Sequence, residues 1–231
     1  MKELNGRINE LAQWMLEARY IVVFTGAGIS TDSGLRDFRG PDGLGTRRDK
    51  GLATPEQKWT GVEPIAGHIA ILELQEMGKL AFLISQNVDN LHLKSGIKPD
   101  ILAELHGNLT KVRCTACDFK MDRVEGERQC PLCGNKLKST VVDFGDSLPV
   151  KDLEDAYEHS GKCDLFIVVG SSLVVYPAAE MPRVALGAGA KLVIINQGET
   201  PYDKVAHLRF EERIGDVLPP AVAKLKSLMK K

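Results

Sequence analysis

No run of apolar residues in this 231-residue chain reaches the roughly 18–20 needed to span a bilayer. A charge excess is also missing. The formal net charge is −1, which argues against a general polyanion-binding surface and leaves room only for a local basic patch. Residues Met1 to Glu10 are charged and polar and hold no apolar core of a signal peptide. Internal repeats, low-complexity tracts and Ser/Pro-rich linkers are absent. What remains is 43% hydrophobic and 26% charged, the profile of a soluble globular protein. Its length suits one sizeable α/β core plus a small appended module. A cytoplasmic location is expected, with no membrane partner; nucleic acid is not indicated, and the oligomeric state is not legible.

Cysteine is scarce, but four of the five form two tight pairs, Cys114-x2-Cys117 and Cys130-x2-Cys133, with twelve residues between the pairs. In a reducing compartment such pairs point to metal ligation before disulfides. Each pair can form a knuckle that offers two thiolates to one tetrahedral Zn²⁺, and four thiolates leave no open position for water or substrate, so the site reads as structural. Pro131 and Gly134 supply turn chemistry. The intervening segment is too polar to build its own core, so the metal is expected to supply much of its folding energy. A redox Cys-x-x-Cys pair is the weaker alternative. The fifth thiol, Cys163, just before an apolar run, reads as a core thiol.

Short apolar, β-branched runs recur at Tyr20–Phe24, Ala81–Ser85, Leu165–Val169 and Lys191–Ile195. Nearly continuous apolar strands of this kind are buried on both faces, which predicts an α/β fold: a Rossmann-type parallel sheet with helices on both faces. Leu4, Ile8, Leu11, Met15 and Leu16 lie at helical spacing, predicting a helix over 3–18. Further helices are expected at about 64–77, 150–159, 177–187 and 215–229. Two stretches break the alternation. Residues 35–62 are rich in Gly, Pro, Arg and Asp with weak periodicity, and a loop that long is usually functional or mobile. Residues 110–140 carry the cysteines. The expected organisation is therefore a discontinuous domain of 1–34, 63–109 and 141–231, interrupted by a flexible cofactor-binding loop (35–62) and a zinc-ribbon module (110–140).

Gly26-Ala27-Gly28-Ile29-Ser30-Thr31 follows the first strand. Glycines there let backbone N–H groups approach a pyrophosphate, and a following helix N-terminus favours negative charge. The loop departs from the dehydrogenase fingerprint, since Thr31 stands where the third glycine would be and no acidic strand end follows at the usual distance. A plain tight turn is the alternative. Two other strand ends, Gly170-Ser171-Ser172 and Asn196-Gln197-Gly198, place small, hydroxyl and amide residues where parallel sheets bind ligands. Gln86-Asn87-Val88-Asp89 follows the second strand, and such a polar cluster is costly to bury unless it binds something. Asp89 could equally be a helix N-cap. His106, beside Gly107 at the junction with the cysteine segment, could face a cleft as a base or be an ordinary packed or surface histidine. His68, His92, His159 and His207 carry weaker signals still.

Taken in order, Thr25–Ser30, Asp37-Phe38-Arg39, Gln86–Asp89, Leu105-His106-Gly107, the four cysteines, Phe144-Gly145 and Gly170–Ser172 resemble the motifs of sirtuins over about residues 20 to 220. The resemblance implies NAD-dependent removal of acyl groups from lysine side chains, with NAD as co-substrate, an acyl-lysine protein or peptide as partner, and one structural zinc. It implies that the loop Gly26, Ala27, Gly28, Ser30 and Thr31 cradles the pyrophosphate, and that Phe38 and Arg39 close over the cofactor. Asn87 and Asp89 would line the nicotinamide pocket, with Val88 beside them. Gln86 and His106 would meet the ribose, and His106, Asn87 and Asp89 would be the catalytic set. Gly170, Ser171, Ser172, Asn196, Gln197, Gly198 and Ile214 would hold the adenosine side. The segments Val142–Gly145, with Val142, Phe144 and Gly145, and Val174–Tyr176, with Val174, Val175 and Tyr176, would clamp the peptide as two strands. Three departures stand out: Gly34-Leu35-Arg36 has arginine in place of the family's proline, Asp146 follows Phe-Gly where glutamate is usual, and the 40–62 loop has no clear Tyr/Arg pair for acidic acyl groups, although Arg47 and Arg48 leave that open. The alternatives are a mono-ADP-ribosyltransferase or NAD glycohydrolase on the same scaffold, a non-catalytic nucleotide-binding module and, least, a dehydrogenase.

Overall fold

The computed structural model describes residues 3–59, 61–117 and 119–230. Along the chain, α1 (Leu4–Glu17) leads into β1 (Ile21–Thr25); α2 (Leu44–Asp49) and α3 (Ala66–Glu76) precede β2 (Leu80–Ser85), and α4 (Leu91–Ser95) precedes β3 (Leu102–Glu104). Next come β4 (Lys111–Cys114), β5 (Lys120–Asp122) and β6 (Leu137–Ser139). The chain then continues through α5 (Val150–Lys162), β7 (Leu165–Val169), α6 (Met181–Gly187), β8 (Lys191–Ile195), β9 (Leu208–Phe210) and α7 (Ile214–Leu228).

Six strands form one parallel sheet in the order β3-β2-β1-β7-β8-β9. Counted within the sheet this is 3-2-1-4-5-6, the doubly wound order whose direction reverses between β1 and β7. All five residues of β1 and all five of β7 are buried. Alternation divides them between two layers. Ile21 and Val23 pack with α1, α3 and α7, while Val22 and Phe24 pack with α5 and α6. The helices match in period: Ile8, Leu11, Ala12 and Met15 of α1 are buried on one stripe, as are Val217, Leu218, Ala221, Val222 and Leu225 of α7. Burying each of the larger side chains among them stabilises by about 1.5–3 kcal/mol, and the alanines contribute less. The parallel sheet covered on both faces is thus as its sequence predicts.

Several elements exceed what periodicity shows. β3 and β9 have three residues each, too short for a pattern, and are fixed by pairing with β2 and β8. The 35–62 segment, read as a loop, contains the one-and-a-half-turn helix α2. Its propensity is poor, and it is held by tertiary contacts: Leu44 N–H donates to Asp37 C=O (2.9 Å) and Gly45 N–H to Phe38 C=O (2.9 Å). A side chain at Gly45 would run into the Phe38 ring.

The cysteine segment forms its own three-stranded antiparallel sheet, β5-β4-β6. Among the described residues, Val112, Cys114, Cys130 and Leu137 form its buried apolar core, with Cys117, Phe119 and Met121 packed against them. Cys163 is buried elsewhere, behind the large sheet. Its Sγ donates to Ser160 C=O (3.2 Å), and burial pushes the thiol up to about 12, the behaviour of a core thiol.

Candidate active site

The carboxyl ends of β1 and β7 meet so closely that only glycine fits. Gly28 N–H donates to Gly170 C=O (2.9 Å), and a Cβ on Gly26 or Gly28 would lie 2.8 Å from Gly170 atoms. Gly170 itself has φ +66°. This contact opens a cleft of about 990 Å³ at the switch point of the sheet. From Gly26, the chain runs into a 3-10 turn, Ala27–Ser33, along the wall of this cleft, with Gly28 N–H held by Gly170 and Ile29 N–H donating to Gly26 C=O (3.1 Å).

Behind the turn lies a buried polar chain. Ser30 Oγ donates to Asp89 Oδ2 (2.6 Å) and accepts from Asn87 Nδ2 (3.2 Å). His68 Nδ1 accepts the Ile65 N–H (3.3 Å), so the neutral ring carries its proton on Nε2, 3.5 Å from Ser30 Oγ. Asp89 Oδ1 accepts the Leu91 N–H (2.9 Å). Asp89 is therefore not the N-cap of α4, which is Asn90: one of its oxygens closes a local turn onto Leu91 just before the helix, and the other faces the site. His92 lies against His68 with the rings tilted (centroids 5.1 Å, 57°) and bonds Thr25 Oγ1 (2.9 Å); its Nδ1 is buried with no partner among the described residues. Burial lowers His68 to about 4 and His92 to about 3, so both are neutral near pH 7. The sequence reading undervalued this pair. The signal was the apolar face of α3, on which His68 lies beside the buried Gly67, Ile71 and Leu74.

His106 follows β3 into the cleft. Its Nδ1 bonds Gln86 C=O (2.9 Å), which places the proton on Nδ1 and leaves the Nε2 lone pair free. Burial lowers its pKa and this bond opposes the change. Gln86 Nε2 crosses to Ser171 Oγ (2.7 Å), tying the end of β2 to that of β7. Of the residues nominated from sequence, those from all four strand-end loops line the cleft, as do Phe38, Arg39, His106, Ile214, Val142, Phe144, Gly145, Val175 and Tyr176. Val174 does not; it is half exposed outside. The sequence reading did not nominate Trp59 or Arg213, which also line the cleft.

The two expected clamp strands differ from expectation. Neither 142–145 nor 174–176 is a strand: Phe144-Gly145 is a turn closed by Asp146 N–H to Asp143 C=O (3.0 Å), and Leu173 has φ +54°. An isolated extended segment has no ladder to hold it, and here no neighbouring strand supplies one. Phe144 instead stacks on Phe38 (centroids 5.5 Å, 24°), with Arg48 over Phe144 at 4.8 Å and Arg39 over Phe38 at 5.0 Å.

Away from the cleft, the four sulfurs of Cys114, Cys117, Cys130 and Cys133 lie within 4.8 Å of one another, with Sγ···Sγ separations of 3.4, 3.6 and 3.7 Å among them. Four thiolates about 2.3 Å from one zinc ion stand about 3.8 Å apart, so the set fits a tetrahedral ion with little movement. The four cysteines are positioned to bind one zinc.

Comparison with known proteins points the same way. The family model described as "Sir2 family" matches residues 53–177. The chain is 38% identical over 246 residues to NAD-dependent protein deacetylase 1 of Bradyrhizobium diazoefficiens, covering 95% of this chain and 97% of that protein. It is 42% identical over 218 residues to NAD-dependent protein deacetylase SRT1 of Arabidopsis thaliana, covering 89% of this chain but spanning only 46% of that longer protein. Among solved structures, a Sir2 complex with p53 peptide and NAD⁺ superposes with a TM-score of 0.73 at 33% identity, covering 100% of this chain and 98% of the other. The switch-point cleft, the cysteine cluster and these likenesses agree, and the chain belongs to the Sir2 family.

Proposed function

We propose that this chain is an NAD-dependent protein lysine deacylase. The observation that carries the reading is the convergence, in one cleft, of the Gly26–Thr31 turn, the Ser30–Asp89–Asn87 cluster and a neutral His106 with a free Nε2. On this reading 1–34, 63–109 and 141–231 form one discontinuous NAD-binding domain, 35–62 closes over the cofactor, and 110–140 is the zinc module. The Gly26–Thr31 turn takes the pyrophosphate. Gly170–Ser172, Asn196–Gly198 and Ile214 take the adenosine side. Asn87 and Asp89 face the nicotinamide, with Asp89 on its carboxamide, and Gln86 and His106 reach the ribose. Val142–Gly145 and Val174–Tyr176, which have no strand partner of their own, offer backbone to an extended acyl-lysine peptide. A cytoplasmic setting suits the four thiols, which must stay reduced to hold a metal.

The substrate's acyl oxygen attacks C1′ of the nicotinamide ribose. The C1′–N bond breaks, and nicotinamide leaves with its electron pair. His106 Nε2 then accepts a proton from a ribose hydroxyl, whose oxygen adds to the acyl carbon. The lysine amine leaves that tetrahedral carbon as it takes up the proton, water adds in its place, and the bond from the carbon to the C1′ oxygen breaks, so the acyl group ends as an ester on ADP-ribose. Phe38, stacked at the mouth, shields the sugar carbon from water before the acyl oxygen arrives.

The test is nicotinamide release from NAD⁺ with and without an acetyl-lysine peptide, with the peptide mass followed in the same tube. Release that requires the peptide, with loss of its acetyl mass, supports the deacylase. Release without peptide, or a peptide heavier by ADP-ribose, would replace it with a glycohydrolase or an ADP-ribosyltransferase on the same scaffold.

A further inference from the structure

A second, smaller cavity of about 150 Å³ lies where the zinc module seats on the large domain, away from the NAD cleft. Its walls include Lys111, Arg113 and Lys120 from the module sheet, and Glu104 and Asp152 from the large domain. The strand register explains why the cations gather there. Arg113 of β4 is directly opposite Lys120 on one side and Lys138 on the other, so three cations stand in a row across the same face of the three strands. Like charges directly opposite destabilise a sheet, so such a row calls for negative charge against it.

The two carboxylates do not fill that need for Arg113. Glu104 is taken by Lys111 Nζ (3.2 Å) and Asn108 Nδ2 (2.6 Å). Asp152 accepts the Glu104 N–H (2.9 Å) and pairs with Lys120 Nζ at 3.8 Å. Arg113 has no ion pair among the described residues, and its Nε is shut off from water with no hydrogen-bond partner. A buried donor of a charged group left unpaired is among the costlier defects a fold can carry. The seam also borders the start of α5, Pro149–Asp152, whose dipole adds positive potential.

We propose that this seam cavity is a binding site for a small tetrahedral oxyanion of the phosphate class, held by the Arg113 guanidinium with Lys111 and Lys120 completing the positive wall. Guanidinium meets such an oxyanion through two parallel N–H···O bonds, here from its terminal Nη groups, since Nε is closed to water, and the anion would balance a guanidinium that has no ion pair among the described residues. The volume is that of about five water molecules at 30 Å³ each, enough for the anion itself and too small for a nucleotide. Gly107 and Thr140, which border the cavity, continue into His106 and Val142, and Val142 N–H donates to His106 C=O (3.0 Å). The seam therefore lies beside the junction that carries the histidine but apart from the NAD cleft. The inference does not depend on the deacylase reading.

The experiment is a titration of the zinc-loaded full chain with inorganic phosphate at constant ionic strength, reading both heat of binding and melting midpoint, for wild type, Arg113→Met and Arg113→Lys. Zinc content of each variant reports whether the module is folded. Phosphate is expected to bind saturably and raise the wild-type midpoint. With one zinc retained, Arg113→Met should weaken that binding about tenfold or more, with Arg113→Lys falling between. Equal phosphate responses in wild type and Arg113→Met would mean an ion bound elsewhere, such as at the Gly26–Thr31 turn, or an adventitious ion only, and would overturn the proposal. So would the absence of any saturable response in the wild type.

Discussion

The two sheets of this molecule reach a fold by different routes. The six-stranded sheet is sandwiched between two helix layers, and whole strands such as Ile21–Thr25 are buried residue for residue. The apolar core beside the three-stranded sheet holds, among the described residues, four buried side chains, two of them the cysteines Cys114 and Cys130. Ordering each residue costs about 1–2 kcal/mol of backbone entropy, and so few buried groups cannot offset that over a segment as long as 110–140. The large sheet can therefore afford a polar floor of Ser30, His68, Asn87 and His92 beneath its cleft, whereas the module depends on its metal.

The sharpest way to break that contrast is to remove one thiolate. In Cys114→Ser, bound zinc should fall from one equivalent to near none, and amides of 110–140 should exchange freely while those of β1 and β7 stay protected. Structural zinc contributes on the order of 10 kcal/mol in small modules, so this is the largest effect expected. Full zinc content with an unchanged melting midpoint would show that the module folds by burial after all. On the other side, His106→Tyr should leave zinc content and melting as in wild type and lower deacylation by about 100-fold or more, the usual contribution of a positioned base. Wild-type-like turnover would remove His106 from the mechanism.

The polar floor predicts a pH dependence confined to the large domain. His68 and His92, lowered to about 4 and about 3, are uncharged in the fold and become charged in the unfolded chain below about 6.5. The unfolded state then binds more protons, so this contribution is intact above pH 6.5 and is lost as pH falls toward 4. Each histidine adds a slope of about 1.4 kcal/mol per pH unit. Urea midpoints at pH 7, 6 and 5 should show it, and His92→Phe should halve it. A slope unchanged by His92→Phe would mean that the acid sensitivity comes from elsewhere.

The same contrast explains what the sequence disclosed. Long-range burial leaves a periodic trace, so β1, β2, β7, β8 and the amphipathic α1 and α7 could be read from residue pattern. Metal ligation leaves a spacing trace, so Cys114, Cys117, Cys130 and Cys133 could be read as well. Elements made by neighbours leave neither. β3 and β9 exist because a longer strand stands beside them, α2 because Phe38 packs on Gly45, and the His68–Ser30–Asp89 chain because three distant segments meet at a strand end. The turn at Phe144-Gly145, expected as a strand, belongs to this class: extended backbone without a pairing partner is not fixed by its own residues.

The smallest effect is expected where the loop and the post-module segment touch. Arg48 rides over both stacked rings, 4.8 Å from Phe144 and 5.8 Å from Phe38, and its carboxylate neighbour Asp49 is drawn closer to Arg39 (2.6 Å) than to Arg48 (3.8 Å). Its side chain is 56% exposed, so its hold on the rings is of the order of an exposed cation–π contact, about 0.5–1 kcal/mol. Losing it loosens the stack without emptying the cleft. Arg48→Ala should therefore raise nicotinamide release in the absence of peptide by about two- to fivefold, because Phe38 then guards the sugar carbon less tightly, while zinc content and melting stay at wild-type values. Phe144→Ala should produce the same change from the opposite side of the stack. If Arg48→Ala left peptide-free release unchanged while Phe144→Ala raised it, the ring pair alone would be the seal and the cation a bystander.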